Sequence, residues 1–124
     1  MPSATILVVD DEEGVRTVIA RTLEGAGFEV LQAEHGEAAL RVVRAFAGPL
    51  LLAIVDMNMP VMTGTEFARE FRPIRPGVPV LFITGREPMA AGVRLLRKPF
   101  GPSLLLETVA MVLAETEPIE RTSA

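Results

Sequence analysis

Three stretches of this chain, TILVV (5–9), LLLAIV (50–55) and VPVLFI (78–83), are apolar at nearly every position. A strand with one face in water alternates polar and apolar residues. A short β-branched run without alternation suits a strand buried on both faces of a parallel sheet. Parallel neighbours need a crossover of a dozen or more residues, usually carrying a helix. The chain must therefore alternate strands with helices.

The segments between the runs meet that demand. Val15, Val18, Ile19, Thr22, Leu23 and Ala26 fall on one helical face, and Gly27 closes that helix. FEVLQA (28–33) reads as a second strand, and Gly36 to about Phe46 as a second helix with Ala39, Leu40, Val43 and Phe46 inward. A third helix is expected around Thr65 to Phe71, a fifth strand over 93–97, and a last helix from about Ser103 to Glu115 with Leu105, Leu106, Val109, Val112 and Leu113 inward. Strand and helix alternate throughout, which predicts an α/β fold. The length suits one domain, 1–124, with its core at about 4–115 and a tail or linker stub at 116–124.

Only eight residues, GREPMAAG (85–92), separate Thr84 from the fifth strand, and Pro88 lies among them. That is shorter than an ordinary crossover with its helix. A shortened or missing fourth helix is predicted.

Composition becomes informative at the ends of the strands. The twelve basic residues are eleven arginines and one lysine, Lys98, and the sixteen acidic residues include only three aspartates, Asp10, Asp11 and Asp56. Asp10 and Asp11 follow the first strand, Asp56 the third, Thr84 the fourth and Lys98 the fifth. In open α/β sheets that edge is where ligands bind, and a flavodoxin-like order 2-1-3-4-5 brings the aspartates together.

Carboxylates so close stay ionised only beside a cation. Oxygen donors without Cys or His favour a hard ion, and Mg²⁺ accepts one or two carboxylates with water and phosphate oxygens. The expected site is Asp10 or Asp11, Asp56 and one backbone carbonyl from the loop that follows. A carboxylate can attack an activated phosphoryl donor, and Lys98 and Thr84 would neutralise and hydrogen-bond the phosphoryl oxygens. Lys supplies a point charge where the planar fork of Arg has less room.

VVDDE, IVDMNMPVMTG, FITG and KPF, in that order, resemble the receiver domain of two-component response regulators over roughly residues 4 to 115. The resemblance implies a doubly wound five-stranded sheet and a phosphoacceptor at Asp56. It also implies an acidic metal pair at Asp10 and Asp11, a metal-binding carbonyl at Asn58, a switch hydroxyl at Thr84 and a phosphate-contacting Lys98 with a cis bond to Pro99. Mg²⁺ would be the cofactor, and a sensor histidine kinase or histidine phosphotransfer protein the donor. The chain would act as a switch or relay intermediate rather than a turnover enzyme, standing alone or cut from a larger regulator.

Two features depart from the family. Leu95 occupies the place, three before the lysine, where an aromatic residue usually answers the switch hydroxyl. The short 85–92 crossover remodels the face that receivers commonly use for partners. A pseudo-receiver that keeps the site without switching is therefore an alternative reading. A dehalogenase-like phosphatase is another, but Glu12 follows the acidic pair where that chemistry needs a second Asp. Arg86 is expected to contact the phosphoryl group or a nearby carboxylate, and the lone His35 to be a solvated residue at a helix start.

A net charge of −4 and scattered arginines disfavour direct nucleic-acid binding. The absence of Cys excludes disulfides and thiolate chemistry. The first residues read as neither leader nor membrane span, and a cytoplasmic location is expected. The output and the oligomeric state are not specified by these residues.

Overall fold

The three apolar runs form the centre of the sheet. In the computed structural model, which describes residues 4–85 and 94–115, β1 (Thr5–Val9), β3 (Leu52–Asp56) and β4 (Val80–Thr84) are buried at every position. The more polar β2 (Glu29–Ala33) and the three-residue β5 (Leu95–Arg97) lie at the edges. All four pairings are parallel, in the order β2-β1-β3-β4-β5. This is the expected flavodoxin-like order.

Helices α1 (Glu13–Gly25), α2 (Gly36–Ala45), α3 (Gly64–Ile74) and α4 (Pro102–Glu115) cover the sheet. Successive strand side chains point to opposite faces, so the interior divides in two. Leu7, Val9, Ala53, Val55 and Phe82 pack with Leu40, Val43, Phe67 and Phe71 of α2 and α3. Ile6, Val8, Ile54, Leu81 and Ile83 pack with Ile19 and Leu23 of α1 and Leu105, Val109 and Val112 of α4. Burial of each Val, Leu, Ile or Phe side chain among these stabilises the fold by about 1.5–3 kcal/mol before entropy is counted.

Several boundaries differ from the sequence reading for local reasons. β4 starts at Val80 because Pro79 has no N–H to donate, although its carbonyl accepts from Ala53 N–H at 3.0 Å. α3 begins at Gly64 because Thr63 and Glu66 form a reciprocal capping box. It continues through Pro73, and Arg75 N–H closes the last turn on the Phe71 carbonyl at 3.0 Å. Val18, expected inward, is 57% exposed, because α1 turns Ile19 and Leu23 to the sheet instead. Gly27, at φ 100°, ends α1 as expected.

Arg75 also reaches back across the sheet's edge. Its guanidinium donates to the carbonyls of Gly48 at 2.8 Å, Val43 at 3.2 Å and Phe46, which tethers the end of α2 to the end of α3. The 85–92 crossover, where the helix is expected to be shortened or missing, falls after Gly85 outside the described residues, as do Arg86 and the expected tail at 116–124.

Candidate functional site

The sheet order delivers the selected residues to one edge. β1 and β3 are adjacent, with Val9 opposite Val55, so the residues that follow converge. Asp56 is the last residue of β3 and Thr84 the last of β4, rather than the first beyond them. Asp10, Asp56 and Thr84 are all buried, whereas Asp11 is exposed at the mouth.

One ligand atom from each of Asp10, Asp11 and Asp56 lies within 4.8 Å of the others. Asp10 Oδ1 is engaged by the Glu12 N–H at 2.8 Å. Asp10 Oδ2 is fully buried and, among the described residues, accepts no well-aligned hydrogen bond. Its nearest cation is the Lys98 ammonium, at 3.3 Å. Three carboxylates with only one ammonium among them, in an all-oxygen donor set, fit a hard divalent cation. Receiver domains generally bind Mg²⁺ at such an acidic pocket.

Lys98 enters the cluster from the turn after β5, its peptide bond to Pro99 cis. Its Nζ lies 2.9 Å from Glu12 Oε1 and 3.5 Å from Asp56 Oδ2. Burial works against its charge. The hydrogen bond to Glu12 and the charges of Asp10 and Asp56 outweigh that and raise its pKa above the ordinary lysine value. Partial burial, then the hydrogen bond and charge of Asp56, push the Asp11 carboxyl above its ordinary value. The cluster holds more negative charge than one ammonium offsets.

Asn58 is fixed at both ends. Its N–H donates to Asp56 Oδ1 at 3.0 Å, and its side-chain carbonyl accepts from the Thr84 hydroxyl at 2.7 Å. The segment beyond it turns sharply, with Met62 N–H bonded to the Pro60 carbonyl and Val61 at φ 70°. α3 then packs directly beneath the site. A Cβ on Gly64 would stand 2.5 Å from the Asp56 carbonyl oxygen and 2.7 Å from Met57 Cα. Only glycine fits this close approach.

The six residues named by sequence for the metal and phosphoryl site meet here: Asp10, Asp11, Asp56, Asn58, Thr84 and Lys98. Sequence reasoning missed Glu12 as the closest partner of Lys98, and it assigned Asn58 a carbonyl without its side-chain bond to Thr84. Arg16, whose guanidinium holds the Asp10 carbonyl at 2.7 Å, was also missed. His35 is not simply solvated. Its Nδ1 caps α2 by accepting the Ala38 N–H at 3.1 Å.

Comparison with known proteins identifies the family. Residues 6–110 match the sequence model of the response regulator receiver domain. The chain is 32% identical to the sensor kinase CckA of Brucella abortus, a match that takes in 93% of this chain and 13% of that protein. It is 34% identical to the chemotaxis protein CheY1 of Helicobacter pylori, covering 90% of this chain and 98% of that one. The solved structure of the chemotaxis protein CheY4 of Vibrio cholerae superposes with a TM-score of 0.80 at 35% identity, covering 89% of this chain and 98% of that one.

Proposed function

Because the chain belongs to the response regulator receiver domain family, we propose that it is a phosphoacceptor that takes a phosphoryl group from a phosphohistidine onto Asp56. One observation carries this reading. Asp56 stands at a sheet edge with carboxylate oxygens of Asp10 and Asp11 within 4.8 Å, and the Lys98 ammonium lies 3.5 Å from Asp56 and 3.3 Å from Asp10.

This reading gives each residue of the cluster a role. An oxygen of Asp56 attacks phosphorus, the donor's P–N bond breaks with its electron pair on the imidazole nitrogen, and that nitrogen is then protonated. The product is an acyl phosphate on Asp56. Lys98 neutralises one phosphoryl oxygen, and the Thr84 hydroxyl donates to another. Asp10, Asp11, Asp56 and the Asn58 backbone carbonyl would hold Mg²⁺. When bound, that ion supplies charge neutralisation to the phosphoryl oxygens.

The donor is a sensor histidine kinase or a histidine phosphotransfer protein, and the unit is a single receiver placed in the cytoplasm. No described helix is long and apolar enough to cross a membrane. Receiver domains are signalling switches rather than turnover enzymes. The phosphatase reading finds no support in Glu12, whose carboxylate is committed to Lys98.

The test is incubation with Mg²⁺ and acetyl phosphate followed by intact-mass measurement. One added phosphoryl mass, lost in Asp56→Asn, is expected. No gain in mass would favour the pseudo-receiver, and steady release of phosphate from unrelated monoesters would favour the phosphatase.

A further inference from the structure

The buried Thr84 side chain, 1% exposed, spends its hydroxyl proton on Asn58 Oδ1 at 2.7 Å. A hydroxyl has one proton to donate. If Thr84 gives it to a phosphoryl oxygen on Asp56, the bond to Asn58 must be surrendered. A charge-assisted bond replaces a neutral one, so the exchange is favourable. The lost Asn58 bond nevertheless opposes it.

We infer that the Asn58 side chain is the resting-state partner of the Thr84 hydroxyl and is released when a phosphoryl group arrives, carrying the change into the segment that leads to α3. The inference rests on the reading of Asp56 as phosphoacceptor. It supplies an output that Leu95 does not. Leu95 sits opposite Phe82 and packs against the α2 and α3 core, with no polar atom to register the hydroxyl. Asn58 is better connected. Its N–H is bonded to Asp56, and the neighbouring Met57 carbonyl accepts the Gly64 N–H at 3.1 Å at the start of α3. The Gly64 backbone lies so close to Asp56 and Met57 that not even a Cβ would fit between them, so displacement of 57–58 is passed to the first turn of that helix.

The experiment uses the full chain with threonine methyl labels and beryllofluoride, a phosphoryl mimic. In metal-free protein, Asn58→Ala should shift the Thr84 methyl resonance and hasten exchange of its hydroxyl proton. With Mg²⁺ present, the same substitution should tighten beryllofluoride binding about threefold to tenfold, since the mimic no longer displaces a net-stabilising hydrogen bond. In a Thr84→Val background, Asn58→Ala should produce no such gain. Unchanged or weaker binding in Asn58→Ala, or an equal gain in the Thr84→Val background, overturns the inference while leaving the phosphoacceptor reading intact. Wild-type protein that takes up no beryllofluoride overturns both. Asn58 is exposed on a loop, so its truncation leaves the fold in place.

Discussion

Lys98 Nζ is bonded most closely to Glu12, at 2.9 Å, and stands farther from Asp56, at 3.5 Å. The two partners differ in environment. Glu12 is 61% exposed, whereas the Asp56 and Asp10 carboxylates are buried and depend on this ammonium, itself 17% exposed, for compensation.

Two substitutions should therefore separate sharply. Lys98→Met keeps the stem but strands two buried carboxylates, which should destabilise the metal-free protein by about 2–3 kcal/mol, below the ~3–5 of a fully buried pair. Glu12→Gln should cost no more than about 1 kcal/mol, as for an exposed ion pair. Urea unfolding with and without Mg²⁺ measures both. Mg²⁺ should shrink the Lys98→Met deficit.

Asp11 gives a pH dependence with a definite sign. Its folded-state pKa is raised, so the folded protein binds more protons than the unfolded chain in that window, and stability falls as pH rises through it. In metal-free protein this group's contribution to stability should be lost as pH rises above the ordinary carboxylate value, with Asp11→Asn flattening that slope and raising Tm once Asp11 is ionised. Added Mg²⁺ should stabilise wild type more than Asp11→Asn. Melting curves across pH, with and without the ion, check this.

Gly64→Ala would drive a methyl group into the backbone at Asp56 and Met57. Backbone cannot rotate away as a flexible side chain can, so a loss of about 1–3 kcal/mol is expected, as for overpacking. Because the displaced atoms belong to the proposed phosphoacceptor, phosphorylation should slow as well. Denaturation and acetyl phosphate kinetics on the same variant should fall together.

Arg75 should affect stability alone. Arg75→Ala removes charged donors from three carbonyls at the end of α2, at a cost of about 1.5–3 kcal/mol for hydrogen bonds of this kind. Arg75→Lys should restore only part, since an ammonium cannot reproduce the planar fork. Folded protein of either variant should be phosphorylated at the wild-type rate, as neither change touches the site.

What was legible in the sequence is what burial and strand ends encode. β1, β3 and β4 could be read because central strands leave no room for polar alternation, and Asp10, Asp56, Thr84 and Lys98 could be read because the chain supplies few residues of their kind at strand ends. The contacts that escaped are polar and long-range. Glu12 reaches Lys98 across 86 residues and Arg75 reaches Val43 across 32. No periodicity announces such pairs. Thr63-x-x-Glu66 was different, since its capping signal was present and would have set the start of α3 correctly. Val18 failed because a helical face spans a broad arc, and apolar spacing does not say which edge of it meets the sheet.

The two interiors, one beneath α1 and α4 and the other beneath α2 and α3, are separated by the full thickness of the sheet. Each can accept substitutions on its own schedule. Repacking on one side can reshape the outer surface of its helices while the other side stays as it is. The edge that carries Asp10, Asp56 and Thr84 is rooted in backbone common to both layers and need not move when either is repacked.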